Sequence, residues 1–275
     1  MMFQVLINEV KAKKPLIHNI TNYVTVNDCA NILLACGASP IMADEIKEVA
    51  EITSLCAGLN LNIGTLNQRT IETMLVAGQQ ANQLNLPVVL DPVGVGASSL
   101  RNQTAQRLLD TLHFTVIKGN ISEIKALALK SQTTQGVDAA TLDLVTKENL
   151  HEVVAFAKKY AQALQTILVI TGPIDLVVDA NRAFAVYNGH PMMAKITGTG
   201  CMLNALITAY LASYPQDYLL ATLNAVCLMG LAGELAAKRL QSFEGNASFR
   251  TYLIDAVDLM TPEVLAGGIR YEEIE

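Results

Sequence analysis

The sequence predicts an α/β fold, a three-layer α/β/α sandwich with helices over both faces of a mostly parallel central sheet, and three observations lead there. Short runs rich in Val and Ile, "LNLNIG" at 59–64, "PVVLD" at 87–91, "TVIKG" at 115–119 and "TILVITG" at 166–172, alternate with segments of helical length. The runs are almost unbroken in hydrophobicity, as parallel strands buried on both faces are. Small, polar and anion-friendly residues gather directly after them, where the carboxyl ends of such strands hold ligands.

Along the chain, the opening "MMFQVLINEVKAKK" sets its apolar stretch before its lysines and interrupts it with Glu9. That is the reverse of a signal peptide's order and points to a cytoplasmic protein. "HNITN" (18–22) and "NIGT" (62–65) read as strand ends. Helices are expected over 67–84, 100–112 and 149–164, between the strands. "IDLVVDA" and "RAFAVYNG" are separated by little more than Asn181 and read as a hairpin. The stretch 130–148 has the weakest pattern and reads as an excursion. After Lys195 only helices are expected, at about 201–214, 217–240 and 246–260. Residues 196–216 carry no charge, yet the stretch starts with a Gly-rich turn and ends near Pro215, so it reads as a helix inside the fold rather than a membrane span. With no linker, repeat or low-complexity tract, residues 1–275 read as one domain.

Composition narrows the function classes. Hydrophobic residues make up 51% of the 275 and charged ones 16%, a lean charge content that suggests surface covered by partner subunits. A net charge of −6 without a basic run argues against nucleic acid and anionic lipid as partners, leaving small molecules. Cys29, Cys36, Cys56, Cys201 and Cys227 are odd in number and form no C-x-x-C pair, so neither a disulfide framework nor a zinc knuckle is indicated.

The chemistry-bearing residues lie at the strand ends. In "ITGTGC", Gly198, Thr199 and Gly200 lead into an apolar helix at Cys201. Amides converging there, with the helix dipole, would stabilise an oxyanion or phosphoryl group; a glycine loop that merely starts a helix is the competing reading. A thiol at that place also reads as a nucleophile. The turn lacks the Walker A pattern. "VVLDPVGVGAS" has G-x-G after a strand, but Ser99 stands where a dinucleotide fingerprint needs its third glycine. Asp91, pinned by Pro92, is either a turn former or a ligand for hydrated Mg²⁺. Asn120 and Glu123 have capping-box spacing, and Glu123 beside Lys118 could order Mg²⁺ or its waters while Lys118 neutralises phosphate. Thr171 and Gly172 would let a planar or phosphate-bearing ligand approach closely, or simply end a strand. Met42 reads as an apolar substrate wall or a core methionine. His18, His113, His151 and His190 have no spacing suited to a metal site or a Ser-His relay.

Taken in order, "HNITN", "GASPIMA", "LNIGTL", "LDPVGVGA", "IKGNISEI", "VITG" and "ITGTGC" resemble the hydroxyethylthiazole kinase family of the thiamine pathway, from about Pro15 into the helices beyond Cys201. The resemblance implies a ribokinase-like fold and a homotrimer with active sites between subunits. It also implies transfer of the γ-phosphoryl of ATP to 4-methyl-5-(2-hydroxyethyl)thiazole with Mg²⁺. By the same resemblance, Met42 is a thiazole contact and Gly198 the substrate-contacting glycine of the phosphate-binding turn. Lys118 and Thr171 match ATP contacts, and Asp91 and Glu123 match carboxylates associated with Mg²⁺ and phosphate. Many relatives carry arginine at position 118; lysine keeps the charge and loses the bidentate fork. Related ribokinase-like kinases usually have aspartate where this chain has Cys201, which implies a cysteine that orients or weakly deprotonates the alcohol without a covalent intermediate. The rival readings are a hydroxymethylpyrimidine-type kinase or nucleotide-using lyase of the same fold, a thiol acyltransferase using Cys201, and a non-catalytic binding protein.

Overall fold

The computed structural model describes residues 2–129 and 144–275, so the expected excursion falls mostly outside the described residues. Its strands are β1 (Leu16–Ile20), β2 (Ser39–Ile41), β3 (Gly58–Asn62), β4 (Val88–Asp91), β5 (Val116–Asn120), β6 (Ile167–Thr171), β7 (Asp175–Val178), β8 (Ala183–Val186) and β9 (Tyr271–Glu273). They form one sheet in the order β2-β1-β3-β4-β5-β6-β7-β8-β9. The pairs from β2 to β6 are parallel, and β7, β8 and β9 add antiparallel at one edge.

Parallel strands need helical crossovers, and these cover both faces. One layer holds α1 (Met2–Lys13), α2 (Val26–Cys36), α8 (Thr199–Ser213), α9 (Tyr218–Arg239), α10 (Asn246–Asp258) and α11 (Pro262–Gly268). The other holds α3 (Val49–Leu55), α4 (Gln68–Gln83), α5 (Ser99–Thr111), α6 (Ile121–Ala128) and α7 (Leu150–Leu164). The period of two sorts the strand residues: Val89 faces the first layer, Val88 and Leu90 the second. Among the described residues α9 alone is long and apolar enough to cross a membrane, but 89% of its apolar window is buried inside the fold. A helix apolar all round is the mark of a core helix.

The observed elements depart from the expected ones in three places. β3 is not a continuous apolar run, since Asn60 and Asn62 are buried on its α8 side, where they bond Asn204 and Cys201. β1 is signalled only by its "HNITN" end and β2 by nothing: β1 carries His18 and Asn19 in its middle, and β2 is three residues long with Pro40 at its centre. β9 corrects the all-helical reading beyond Lys195. Its Tyr271, Glu272 and Glu273 are exposed and bear no hydrophobic pattern, and the strand is held by pairing with β8.

Candidate active site

Strand order turns scattered sequence positions into one row. Along the carboxyl edge from β2 to β6 come Met42, Asn22, Asn62 with Gly64, Asp91, Lys118 with Asn120, and Thr171. Five strand spacings make that row about 24 Å long. The N-terminus of α8 rests on its middle, packed on β1, β3 and β4.

Gly198 caps α8 with φ 93°, a left-handed conformation that favours glycine. A Cβ there would stand 2.7 Å from Thr25 Cγ2. Gly200 is small for a different reason: a Cβ would meet Lys118 Nζ at 3.0 Å. Thr199, Gly200 and Cys201 form the first turn, and among the described residues no acceptor meets their amide hydrogens. Such amides, with the helix dipole behind them, bind anions.

Beneath the turn lies a buried polar chain. Lys118 Nζ donates to Asp91 Oδ2 at 2.8 Å and to the Gly200 carbonyl at 3.2 Å. Burial works against the charge on Lys118, but the adjacent Asp91 carboxylate more than reverses this and holds the lysine pKa above its ordinary value. Asn62 Nδ2 donates to the same Asp91 Oδ2 at 2.9 Å and to Cys201 Sγ at 3.3 Å. Asn22 Nδ2 donates to Cys201 Sγ at 3.3 Å and to Asn62 Oδ1 at 3.0 Å. Behind them Asn204 Nδ2 donates to Asn60 Oδ1 at 2.6 Å, and Asn60 Nδ2 to Asn19 Oδ1 at 2.9 Å.

Asp91 Oδ1 is buried and, among the described residues, has no hydrogen-bond partner. An orphaned carboxylate oxygen beneath the open amides of α8 suits a hydrated Mg²⁺. Glu123 is more committed than its sequence position suggests. It completes the expected capping box through Asn120 N–H to Oε2 at 2.9 Å, while its Oε1 accepts Gly94 N–H at 2.8 Å. It thus tethers the G-x-G loop, where Gly94 and Gly96 both have positive φ. Among the described residues no three His, Cys, Asp or Glu side chains converge, so any Mg²⁺ would need substrate oxygens to complete its shell.

Thr171 opens onto a cavity of about 600 Å³ that reaches Thr199 and Gly200, with Leu203, Val226 and Met229 as apolar wall. Asp175 lines it too, accepting Gly172 N–H at 2.8 Å; burial pushes its carboxyl up to about 7. Met42 is half-buried at the far end of the row, two strand spacings or roughly 10 Å from β3, outside the hydrogen-bonded chain. Its neighbour Ala43 is anchored by His18, whose Nε2 lies 2.8 Å from the Ala43 carbonyl. Burial lowers the pKa of that histidine, which acts as a structural clamp.

The structure therefore brings Asp91, Lys118, Gly198, Thr199, Gly200 and Cys201 together, sets Glu123 and Thr171 beside them, and leaves Met42 apart. Asn22, Asn62, Arg101 and Asp175 escaped the sequence reading. The alternation in "LNLN" was a signal for Asn62. Arg101 had none: it reaches back to the carbonyls of Ile63 and Gly64, at 2.7 and 2.8 Å, and to Val93 at 2.6 Å, joining the β3 and β4 exits.

Comparison with known proteins adds a family model, two related sequences and two solved structures. The model of the hydroxyethylthiazole kinase family matches residues 7–263. The hydroxyethylthiazole kinase of Clostridium acetobutylicum is 56% identical over 98% of this chain and 99% of its own, and that of Clostridium beijerinckii 48% identical over 98% and 96%. The solved hydroxyethylthiazole kinase of Pyrococcus horikoshii superposes with a TM-score of 0.88 at 35% identity, covering 100% of this chain and 99% of the other. The pyridoxal kinase of Staphylococcus aureus, at 16% identity and a TM-score of 0.60 over 95% and 98%, shares the fold.

Proposed function

The chain belongs to the hydroxyethylthiazole kinase family, and from that membership we propose how its sheet edge phosphorylates the primary alcohol of 4-methyl-5-(2-hydroxyethyl)thiazole with ATP. The observation that carries the reading is the first turn of α8, whose three amides meet no acceptor among the described residues and lie directly above a buried lysine. ATP enters through the cavity at Thr171, its base against Leu203, Val226 and Met229 and its γ-phosphoryl at the Gly198–Cys201 turn. The thiazole lies toward β1 and β2, with Met42 as apolar wall and Gly198 in contact, so that its hydroxyl meets Cys201. The two ligands thus approach the turn from opposite ends of the row.

In the transfer, the alcohol oxygen bonds to the γ-phosphorus as the bond to the bridging oxygen breaks and ADP leaves. Charge spreads over the phosphoryl oxygens in a loose transition state, so positioned donors outweigh proton removal. The amides of Thr199, Gly200 and Cys201 and the ammonium of Lys118 are those donors. Cys201 orients the hydroxyl and weakly accepts its proton, an effect worth at most about 10²–10⁴-fold. It forms no covalent intermediate, and mass spectrometry of the enzyme during turnover checks this. Asp91, through its unpaired Oδ1, and Glu123 would hold Mg²⁺, which when bound neutralises phosphate charge.

The decisive assay mixes the protein, MgATP and the thiazole alcohol. ADP and the phosphorylated alcohol are the expected products; turnover of hydroxymethylpyrimidine in their place would favour the sister kinase. We read residues 1–275 as one kinase domain, supported by a single sheet running from Leu16 to Glu273. A homotrimer with sites between subunits fits Tyr23 and Val24, 78% and 56% exposed beside Asn22. Light scattering at three times 29.6 kDa tests it. Five free cysteines suit the reducing cytoplasm.

A further inference from the structure

The orientation of an asparagine amide is settled by whichever of its neighbours can only donate. Asn22 Oδ1 accepts the backbone N–H of Thr25 at 3.1 Å, along with the Thr25 hydroxyl at 3.1 Å. Asn62 Oδ1 accepts the backbone N–H of Gly64 at 2.8 Å. Neither backbone group can accept, so both Nδ2 groups must face the interior of the cluster. There the donors are fully used: Asn22 serves Asn62 and Cys201, and Asn62 serves Asp91 and Cys201. Cys201 Sγ is therefore an acceptor from two sides, and both donors are anchored to backbone at the exits of β1 and β3.

We propose that Asn22 and Asn62 are positioning residues for the phosphoryl transfer, a pair of backbone-locked amides that pin the Cys201 sulfur in an acceptor role and leave its remaining direction for the substrate hydroxyl. The sulfur would otherwise be free to rotate at the mouth of α8, because a cysteine side chain has a single rotor between backbone and sulfur and Cys201 is only partly buried. Asn62 also donates to the Asp91 oxygen that Lys118 holds. One amide group thus sets the spacing between the sulfur and the Lys118–Asp91 pair, the two places where alcohol and phosphate would meet. The catalytic part of this proposal rests on the kinase reading above; the contacts themselves do not.

Two measurements test it. In ligand-free protein labelled with ¹⁵N-asparagine, Cys201→Ala is expected to move the side-chain amide signals of Asn22 and Asn62 and to leave that of Asn67, the cap of α4, in place. Unmoved Asn22 and Asn62 signals overturn the proposal whatever the substrate turns out to be. The second measurement is a kinetic cycle. Asn22→Ala and Asn62→Ala, with Asn22→Asp as a variant that keeps an acceptor for the Thr25 bonds and sets a carboxylate oxygen in place of the donor, should each lower kcat about tenfold with little change in KM for ATP. In a Cys201→Ala background the Asn22 replacements should change kcat less than about twofold, and Asn62→Ala should keep only the smaller part of its effect that comes through the Asp91 bond. Equal losses in both backgrounds would mean that the asparagines act on the scaffold and not through the sulfur, and would overturn it. If the thiazole alcohol proves not to be a substrate while the amide signals move, the kinase reading fails and the anchoring of Cys201 stands.

Discussion

Lys118 and Asp91 form an ion pair of 2.8 Å with side chains only 5% and 2% exposed. The same ammonium reaches the Gly200 carbonyl at 3.2 Å, so one buried charge joins β5, β4 and α8. Removing Lys118 leaves the buried Asp91 carboxyl with the Asn62 amide alone and no countercharge. Lys118→Met is expected to destabilise the protein by about 3–5 kcal/mol, and Lys118→Met with Asp91→Asn by clearly less, while both lose kinase activity. Urea unfolding and the ADP assay separate the two effects.

Gly198 is held by two constraints, its φ of 93° and the 2.7 Å approach of Thr25 Cγ2 to any added Cβ. Gly198→Ala should cost ~1–3 kcal/mol from the backbone conformation alone, with the contact added to it. Thr25→Ser removes Cγ2 and should restore part of the stability of Gly198→Ala, measured as Tm. Gly198→Val should abolish turnover.

Cys201→Asp should keep kinase activity. A carboxylate oxygen can accept the amides of Asn22 and Asn62 that now meet the sulfur at 3.3 Å, and can orient the same hydroxyl. Steady-state kcat for this variant should exceed that of Gly198→Val; the reverse ranking would contradict the assignment of the turn.

Asn204 supplies the donor for Asn60 Oδ1 at 2.6 Å, in a region where both residues are fully buried. Asn204→Leu leaves that oxygen unpaired and should cost about 1–3 kcal/mol. The urea midpoint should fall with the slope unchanged.

Asp175 gives a pH dependence of definite sign. Its carboxyl is raised by burial from an ordinary 3.8 to about 7, so between those values the folded chain holds a proton that the unfolded chain has released. Its contribution to stability is complete below pH 3.8 and is lost as pH rises through about 7. Asp175→Asn can still accept Gly172 N–H and carries no charge. It should be more stable than the parent at pH 8, with the gap narrowing as pH falls toward 4, in thermal unfolding at several pH values.

Legibility from sequence followed burial. β4, β5 and β6 have apolar neighbours on both faces, so their runs stand out, and the β7–β8 hairpin shows because its turn is short. β3 was legible from "LNLNIG" despite its buried asparagines, whereas β1 carries His18 and Asn19 where such strands are usually aliphatic and β9 lies exposed at the edge. Their membership depends on pairing partners that no local window contains. At the site, Gly198, Gly200 and Cys201 were visible because a cysteine set directly after two glycines at a helix start raises a question that an ordinary turn does not. Asn22 and Asn62 stood inside strand-end stretches, "HNITN" and "NIGT", with nothing in either stretch to single them out.

What the chain's own pattern determined was the layered architecture, the strand edge proposed for the ligands and the glycine turn at the head of α8, since these follow from local periodicity and backbone conformation. What only the tertiary structure decided was who touches whom at that edge. Asn22 and Asn62 lie 179 and 139 residues from Cys201, and all three meet because β1 and β3 are neighbours beneath α8. Hydrogen bonds of about 3 Å depend on strand order and register, and those are settled by packing the whole sheet rather than by any stretch of it.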